Sequence, residues 1–329
     1  MIFHVHAIEV GQTGGPEVLN YVEMPAPEPG PGELVIKAEA IGVNYIDTYF
    51  RSGHYPRSLP FVLGSEVAGT VSALGEGADS GFAVGDRVVS ASAAGAYADF
   101  SVAPTTLTAK LPDHVTAEVA ASVLLKGLTA HYLLTSVYPV QDGDRVLVHA
   151  GAGGVGLILT QWAKHLGARV ITTVSTDEKA RRSKEAGAEE VLPYPDDPQS
   201  FGDKVRALTD GAGVAVVYDG VGASTFDASL ASLAVRGTLA LFGAASGPVP
   251  PFDPQRLNAA GSVYLTRPSL AHFIRSGEEF SWRAGELFSV IGDEAVTVEV
   301  GGRYPLADAA RAHRDLQGRK TTGSIVLLP

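Results

Sequence analysis

The segment Asp144 to Val174, DRVLVHAGAGGVGLILTQWAKHLGARVITTV, restricts the fold more than any other part of the chain. It reads as strand, glycine turn, helix and second strand in one unbroken unit, the order of a dinucleotide-binding element. Arg145 to His149 is rich in Val and Leu, and Gly151, Gly153 and Gly156 follow in the spacing G-x-G-x-x-G, with a further glycine at Gly154. In that spacing one glycine turns the chain, one lets the backbone approach a pyrophosphate, and one lets helix and strand pack closely. From Val155 the apolar residues Val155, Leu159, Trp162, Ala163 and Leu166 recur at helical intervals, and Gly167 stands where a helix ends. The helix therefore starts just after the turn. Its first amides and the positive end of its dipole face the place of a diphosphate, with Gly151, Gly153, Gly154, Val155 and Gly156 as the expected contacts.

The 329 residues suit two domains, and 38 glycines with 20 prolines suit an α/β protein with many tight turns. A net charge of −11 repels nucleic acid and anionic membrane surfaces. With no long apolar run and no leader-like N-terminus, the chain is expected to be cytoplasmic, without membrane or nucleic-acid partners. Zero cysteines exclude disulfides, thiolate nucleophiles and the usual structural zinc sites. His4 and His6 share one strand face but lack a third ligand nearby, and His149 reads as a packed core residue.

Residues 1–125 carry short β-rich runs, such as Leu34 to Ala38 and Asp86 to Ser90, broken by Pro and Gly clusters. From residue 126 strands and helices alternate, the pattern of a parallel sheet covered on both faces. Strands are expected at 145–150, 169–174, 189–193, 214–218, 237–242 and 262–266, and helices at 154–166, 177–186, 199–209 and 223–235. Beyond 268, helices are expected at 269–276, 279–291 and 306–317, with strands at 296–300 and 323–328.

Several motifs carry a resemblance that runs nearly end to end: GGPEVL at Gly14 to Leu19, AIGVNYIDTYFRSGHYP at 40–56, LKGLTAHYLL at 125–134, HAGAGGVG at 149–156, VYDGVG at 217–222, TRPSL at 266–270 and the terminal GSIVLLP. With these the sequence resembles the zinc-independent quinone oxidoreductases of the medium-chain dehydrogenase/reductase superfamily, the group that includes ζ-crystallin. The resemblance implies a GroES-like β-rich catalytic domain at 1–125, completed by 268–329, and a Rossmann doubly wound parallel-sheet domain at 126–267, commonly the dimerising one. It also settles the expected metal content as none. Zinc-dependent relatives use Cys where this chain has Asn44 and His where it has Ser65, and neither replacement is a good zinc ligand.

The residue ending the second strand sets cofactor choice, because a carboxylate there would hold the ribose 2′-hydroxyl of NAD. This chain has Ser175, with Lys179, Arg181 and Arg182 on the next helix, where a cation can neutralise a 2′-phosphate. The competing reading makes Ser175 a helix cap in a box with Glu178, and the basic residues a solvated face. NADPH is the expected cofactor, the resemblance assigning Ser175, Lys179 and Tyr194 to the adenosine phosphate end. By the same resemblance Phe242, Gly243 and Leu265 to Arg267 line the nicotinamide half, with Arg319 near the phosphates. The family often has Ser where Gly220 stands, so one cofactor hydrogen bond is expected to be lost or supplied by water.

Asn44, Tyr45, Asp47, Tyr49 and Tyr55 form a polar, aromatic cluster unlike the β pattern around them. Tyrosine offers an apolar face for a flat ring and a hydroxyl for its oxygen, so Asn44, Tyr49 and Tyr55 are the catalytic candidates, with Asp47 on the cofactor side. Asn44 and Asp47 read equally well as the cap and brace of a short helix. Lys126 and Thr129 are expected to open a helix at the domain junction, with Thr129 bonded to the nicotinamide carboxamide and Lys126 an ordinary charge beside it. The reaction expected is metal-free, NADPH-dependent quinone reduction in an interdomain cleft. Reduction of an enone or enoyl thioester, and a non-enzymatic NADPH-binding structural or RNA-binding role, stand as alternatives.

Overall fold

The computed structural model describes residues 4–329, apart from the side chain of Ser80. The chain divides into two compact units, one of residues 1–127, 274–292 and 298–329, the other of 128–273 with 293–297.

In the first unit the long strand Glu33–Val43 pairs antiparallel with Glu66–Leu74, Phe100–Pro104 and the last strand of the chain, Ser324–Leu328. The register Ile325↔Val43 and Val326↔Gly42 makes the C-terminus part of the sheet that carries the polar cluster at Asn44. Leu34, Ile36, Ile41 and Val43 pack with Leu63, Val67, Val88, Leu306, Ile325 and Leu327 into one apolar core. Where this strand ends, Asn44 is extended (φ −123°) and starts the helix Tyr45–Ser52, which stops at Gly53 in the left-handed conformation (φ 79°).

The second unit is a six-stranded parallel sheet in the order Glu190–Pro193, Arg169–Val174, Arg145–Val148, Val214–Asp219, Leu233–Leu241, Tyr264–Thr266. Numbered along the chain this is 3-2-1-4-5-6, the doubly wound order, and the switch point lies between the strands ending at Val148 and Asp219. Leu147, Ile171, Val217 and Leu239 from four neighbouring strands meet Phe201, Val205 and Phe226 from covering helices.

Four elements differ from the sequence reading, each for a physical reason. The helix expected at 223–235 ends at Ser232, because Leu233 already pairs with Val214 and the β-branched Val235 follows. The helix expected at 269–276 shrinks to a single turn at Leu270–His272 behind Pro268 and the extended Ser269. The strand expected at 296–300 lies instead at Val300–Pro305: its Gly301 and Gly302 look like a turn, but Gly302 pairs with Ile325, Gly301 falls at the register shift before it, and a Cβ on Gly301 would collide with the Thr322 carbonyl. Finally, the helix holding Lys126 and Thr129 is Ala117–Tyr132, so both residues lie late in it rather than at its start. Its sequence is apolar on nearly all sides and shows no stripe of the kind that marks a surface helix. No helix among the described residues is long and apolar enough to cross a membrane.

Candidate active site

The glycine-rich turn is built at the carboxyl end of Arg145–Val148. Its left-handed residue is Ala150 (φ 56°), and none of Gly151, Gly153, Gly154 or Gly156 has a positive φ. These glycines therefore supply room rather than torsion. A Cβ on Gly151 would stand 2.5 Å from Thr172 Cβ and 2.9 Å from Ser183 Oγ, and one on Gly156 would collide with the Ala150 carbonyl oxygen. Gly153, the N-cap of helix Gly154–His165, is less crowded: its Cβ would meet only that same oxygen, at a tight 3.3 Å. Gly167 (φ 91°) ends the helix as expected.

Ser175 follows the strand Arg169–Val174 and is not the helix cap. Thr176 takes that role, its hydroxyl accepting from the Lys179 amide at 3.3 Å. Ser175 is thereby left to accept from Lys179 Nζ at 3.5 Å. Glu178, the nearby negative charge, is engaged by Arg181 at 2.7 Å and Arg182 at 3.0 Å, and these guanidinium groups hold its carboxyl below the usual range. Tyr194 continues from Pro193, which pairs with Val174, so Ser175 and Tyr194 leave the sheet at adjacent strand ends. Phe242 and Gly243 leave it beyond Leu241, and Leu265 lies in the last strand paired with Leu239.

Gly220 has a packing reason of its own, since a Cβ there would meet Phe242 Cζ at 2.8 Å. The turn after it is organised by Asp219, which the sequence reading did not single out. Its buried carboxylate accepts from the amides of Val221 (2.8 Å) and Gly222 (2.9 Å) and the hydroxyls of Thr225 (2.8 Å) and Ser229 (2.7 Å). His149 is the packed residue expected, bonded to Thr173 (2.8 Å) and Ser229 (3.0 Å), and burial lowers its pKa against the opposing charge of Asp219. Thr129 is buried in the last turns of its helix, and Arg267 points a guanidinium at its neighbour's carbonyl, Pro268 O, at 3.4 Å.

In the first unit Tyr49 packs edge-on against Tyr45 (5.7 Å), Tyr55 (5.3 Å) and His54 (5.3 Å). His54 also stacks on Tyr55, which makes it a member of the cluster that sequence spacing alone did not reveal. Arg319 lies close enough to Tyr45 to oppose the rise of its hydroxyl pKa that burial causes.

Asn44 and Asp47 are buried, 3% and 2% exposed, and they form the capping box of helix Tyr45–Ser52, the cap and brace that the sequence offered as one reading. Asp47 Oδ2 accepts from the Asn44 amide (2.8 Å) and the Tyr97 hydroxyl (3.0 Å), which braces the helix start. The chain of bonds continues from Tyr97 to His313 Nε2 (3.0 Å), from His313 Nδ1 to Arg51 (3.0 Å), and from Arg51 to Gln317 (3.0 Å). Arg51 can only donate, so Nδ1 accepts, Nε2–H donates to Tyr97, and Tyr97 donates to Asp47. Lys126 is not an ordinary surface charge. It is 7% exposed, and its ammonium donates to Asn44 Oδ1 (2.8 Å) and Val43 O (3.3 Å), with Glu66 at 3.7 Å. Glu66, fully buried, accepts from Asn44 Nδ2 (2.7 Å) and the Leu125 amide (2.8 Å). Burial pushes its carboxyl up, opposed chiefly by Lys126.

Burial also raises the Asp47 carboxyl to about 7 and lowers His313 to about 3. An acid whose pKa rises on folding makes the native state bind the extra proton between the two values, so stability falls as pH climbs from about 4 to about 7. At about 1.4 kcal/mol per unit, the wild type is expected to lose ~4 kcal/mol relative to Asp47→Asn across that window. Denaturant unfolding of both proteins at several pH values checks this, and a constant difference would show that Asp47 titrates at its ordinary pKa. His313 acts with the opposite sign, because a base kept neutral withdraws stability as pH falls below its unfolded value near 6.5.

Residues 154–289 match the zinc-binding dehydrogenase family and residues 30–113 the alcohol dehydrogenase GroES-like domain. The zinc of that first description has no counterpart in a cluster of three or more His, Cys, Asp or Glu among the described residues. Over 324 residues the chain is 46% identical to a quinone oxidoreductase of Pseudomonas aeruginosa, covering 98% of this chain and 99% of that one. A mycobacterial protein solved in complex with NADPH superposes with a TM-score of 0.97 at 76% identity, covering 99% of this chain and 100% of its own. The quinone oxidoreductase of Escherichia coli, also solved with NADPH, gives 0.95 at 44% identity, covering 98% and 100%. Similarity of this extent, on a GroES-like unit joined to a 3-2-1-4-5-6 parallel sheet, assigns the chain to the quinone oxidoreductase family of the medium-chain dehydrogenase/reductases.

Proposed function

We propose that this chain reduces quinones with NADPH and needs no bound metal to do so. The observation that carries the reading is full-length similarity to a quinone oxidoreductase solved with NADPH. The residues present fit that cofactor: Gly153, with no side chain, lets a diphosphate approach a helix N-terminus, and Lys179 beside Ser175 supplies a cation for a 2′-phosphate. Tyr194 would hold the adenosine end, Phe242, Gly243, Leu265, Arg267 and Thr129 the nicotinamide end, and Arg319 a phosphate, with Asp47 on the cofactor side bracing the helix that starts at Asn44. When bound, NADPH supplies a hydride. The chain supplies orientation and donors: the Tyr49 and Tyr55 rings offer apolar faces to a flat acceptor, and their hydroxyls, with the Asn44 amide, offer hydrogen bonds to the oxygen that gains charge. A quinone is electrophilic enough to need no Lewis acid, and the final proton comes from solvent or a tyrosine.

The test is NADPH oxidation, in the presence of a chelator, with 1,4-benzoquinone, a bulkier naphthoquinone and a medium-chain enoyl thioester. Turnover of both quinones is expected. Tyr55→Phe keeps the ring and is expected to lower kcat by roughly tenfold or less, short of the hundredfold or more that follows loss of an essential oxyanion donor. Turnover confined to the thioester would replace the quinone reading by enoyl reduction. Tight NADPH binding without any turnover would favour the non-enzymatic role, in which case salt-dependent RNA binding is the next measurement.

The same reading includes a cytoplasmic homodimer joined through the outer strand Tyr264–Thr266. Its support is an unpaired sheet edge flanked by Tyr264 at 62% and Val235 at 73% exposure. Light scattering is expected to give twice the 34.2 kDa chain mass, and half of that for Val235→Lys/Tyr264→Lys. A monomeric wild type would refute the dimer.

A further inference from the structure

Lys126 and Glu66 bracket one small group, the side-chain amide of Asn44. An amide is nearly symmetric in shape, and in a neutral setting its oxygen and nitrogen exchange places at little cost. Here the two ends face opposite charges: Oδ1 receives the Lys126 ammonium at 2.8 Å, and Nδ2 donates to the Glu66 carboxylate at 2.7 Å. Turning the amide over would set NH₂ against ammonium and C=O against carboxylate, repulsive at both ends. Glu66 is itself fixed, its other oxygen held by the Leu125 amide at 2.8 Å, and Lys126 is tied to Val43 O at 3.3 Å. All three side chains are buried, so water does not compete for these bonds. One hydrogen of Nδ2 is used by Glu66, and no protein acceptor for the second is found among the described residues.

We infer that Lys126 and Glu66 are positioning residues for catalysis, a paired-charge clamp that locks the Asn44 amide so that its second N–H is presented to the acceptor oxygen. This rests on the quinone-reductase reading, in which Asn44 touches the substrate. Lys126 and Glu66 act through Asn44 and touch no reactant. The clamp explains why a cation and a carboxylate are both buried beside an uncharged residue, an arrangement that stability alone does not favour.

The experiment is a mutant cycle in the full-length protein. Removing one charge alone would strand the other, so the pair is neutralised together in Lys126→Met/Glu66→Gln and compared with Asn44→Ala and the triple variant. Thermal unfolding and NADPH titration by fluorescence accompany each. For benzoquinone reduction, kcat is expected to fall roughly tenfold to hundredfold in Asn44→Ala and in the double variant, with no further loss in the triple variant. KM and NADPH affinity are expected to stay within about twofold, which separates positioning from a general structural defect. A second readout needs neither cofactor nor turnover. Asn20, Asn44 and Asn258 are the only asparagines, so selective labelling gives three side-chain amide pairs by NMR. The Asn44 pair is expected to show one strongly downfield, slowly exchanging hydrogen in the cofactor-free wild type and to lose it in the double variant. A double variant with wild-type kcat, while Asn44→Ala is impaired, would overturn the clamp and leave the quinone reading standing. An unimpaired Asn44→Ala would overturn the clamp's catalytic purpose. A wild type that reduces no quinone yet keeps the shifted amide would overturn the quinone reading alone.

Discussion

Gly156→Ala is expected to destabilise the protein and to abolish measurable NADPH binding, although the same substitution in an ordinary helix would stabilise it. Gly156 lies in the first turn of Gly154–His165, where alanine is favoured over glycine by about 1 kcal/mol on helix propensity alone. Its Cβ, however, would fall on the Ala150 carbonyl oxygen, a backbone atom with no rotamer to give way. The helix must then retreat from the strand, and overpacking of this kind costs about 1–3 kcal/mol or more. Gly153→Ala is the control, since its Cβ would meet the same oxygen at 3.3 Å. It is expected to lower the melting temperature far less than Gly156→Ala does and to lower NADPH affinity, because the methyl group crowds the helix N-terminus. The sign of the Gly156 effect decides the matter, and a more stable Gly156→Ala would show that helix and strand are not in close contact there.

Lys179→Ala is expected to weaken NADPH binding by roughly tenfold to hundredfold while leaving NADH almost untouched, since a charge-assisted contact is worth about 1.5–3 kcal/mol. The helix itself should not suffer. The Thr176 cap uses the Lys179 backbone amide, which alanine retains, and the neighbouring charges Glu178, Arg181 and Arg182 are already matched to one another. Equal losses for both cofactors, measured by fluorescence titration, would place Lys179 in a solvated face.

The doubly wound sheet was legible because Val-rich strands, glycine turns and helical periodicity alternate from Arg145 onward, and each signal is local. The positions of Ser175 and Lys179 were legible for the same reason, since both follow directly from the end of one strand. What stayed hidden depends on contacts distant in sequence. Lys126 bonds Asn44 across 82 residues, and Tyr97 bonds His313 across 216, so neither the clamp nor the Asp47 relay leaves a trace in spacing. The start of helix Ala117–Tyr132, nine residues before Lys126, escaped because the helix is apolar on nearly all sides. Ser175 was open to a capping role because Ser and Thr stand side by side, and only backbone geometry (φ −146° at Thr176) separates the two.

The central claim, transfer of a hydride from NADPH to a quinone on a protein that carries no metal, is tested most directly by single-turnover kinetics with NADPH deuterated on one face of C4 at a time. With chelator-treated enzyme holding far less than one metal ion per chain and benzoquinone as acceptor, one deuterated face is expected to slow NADPH oxidation and the other not, with one quinol formed per NADPH. Loss of turnover with removal of a stoichiometric metal, or tight NADPH binding without reduction of the quinone, would contradict it.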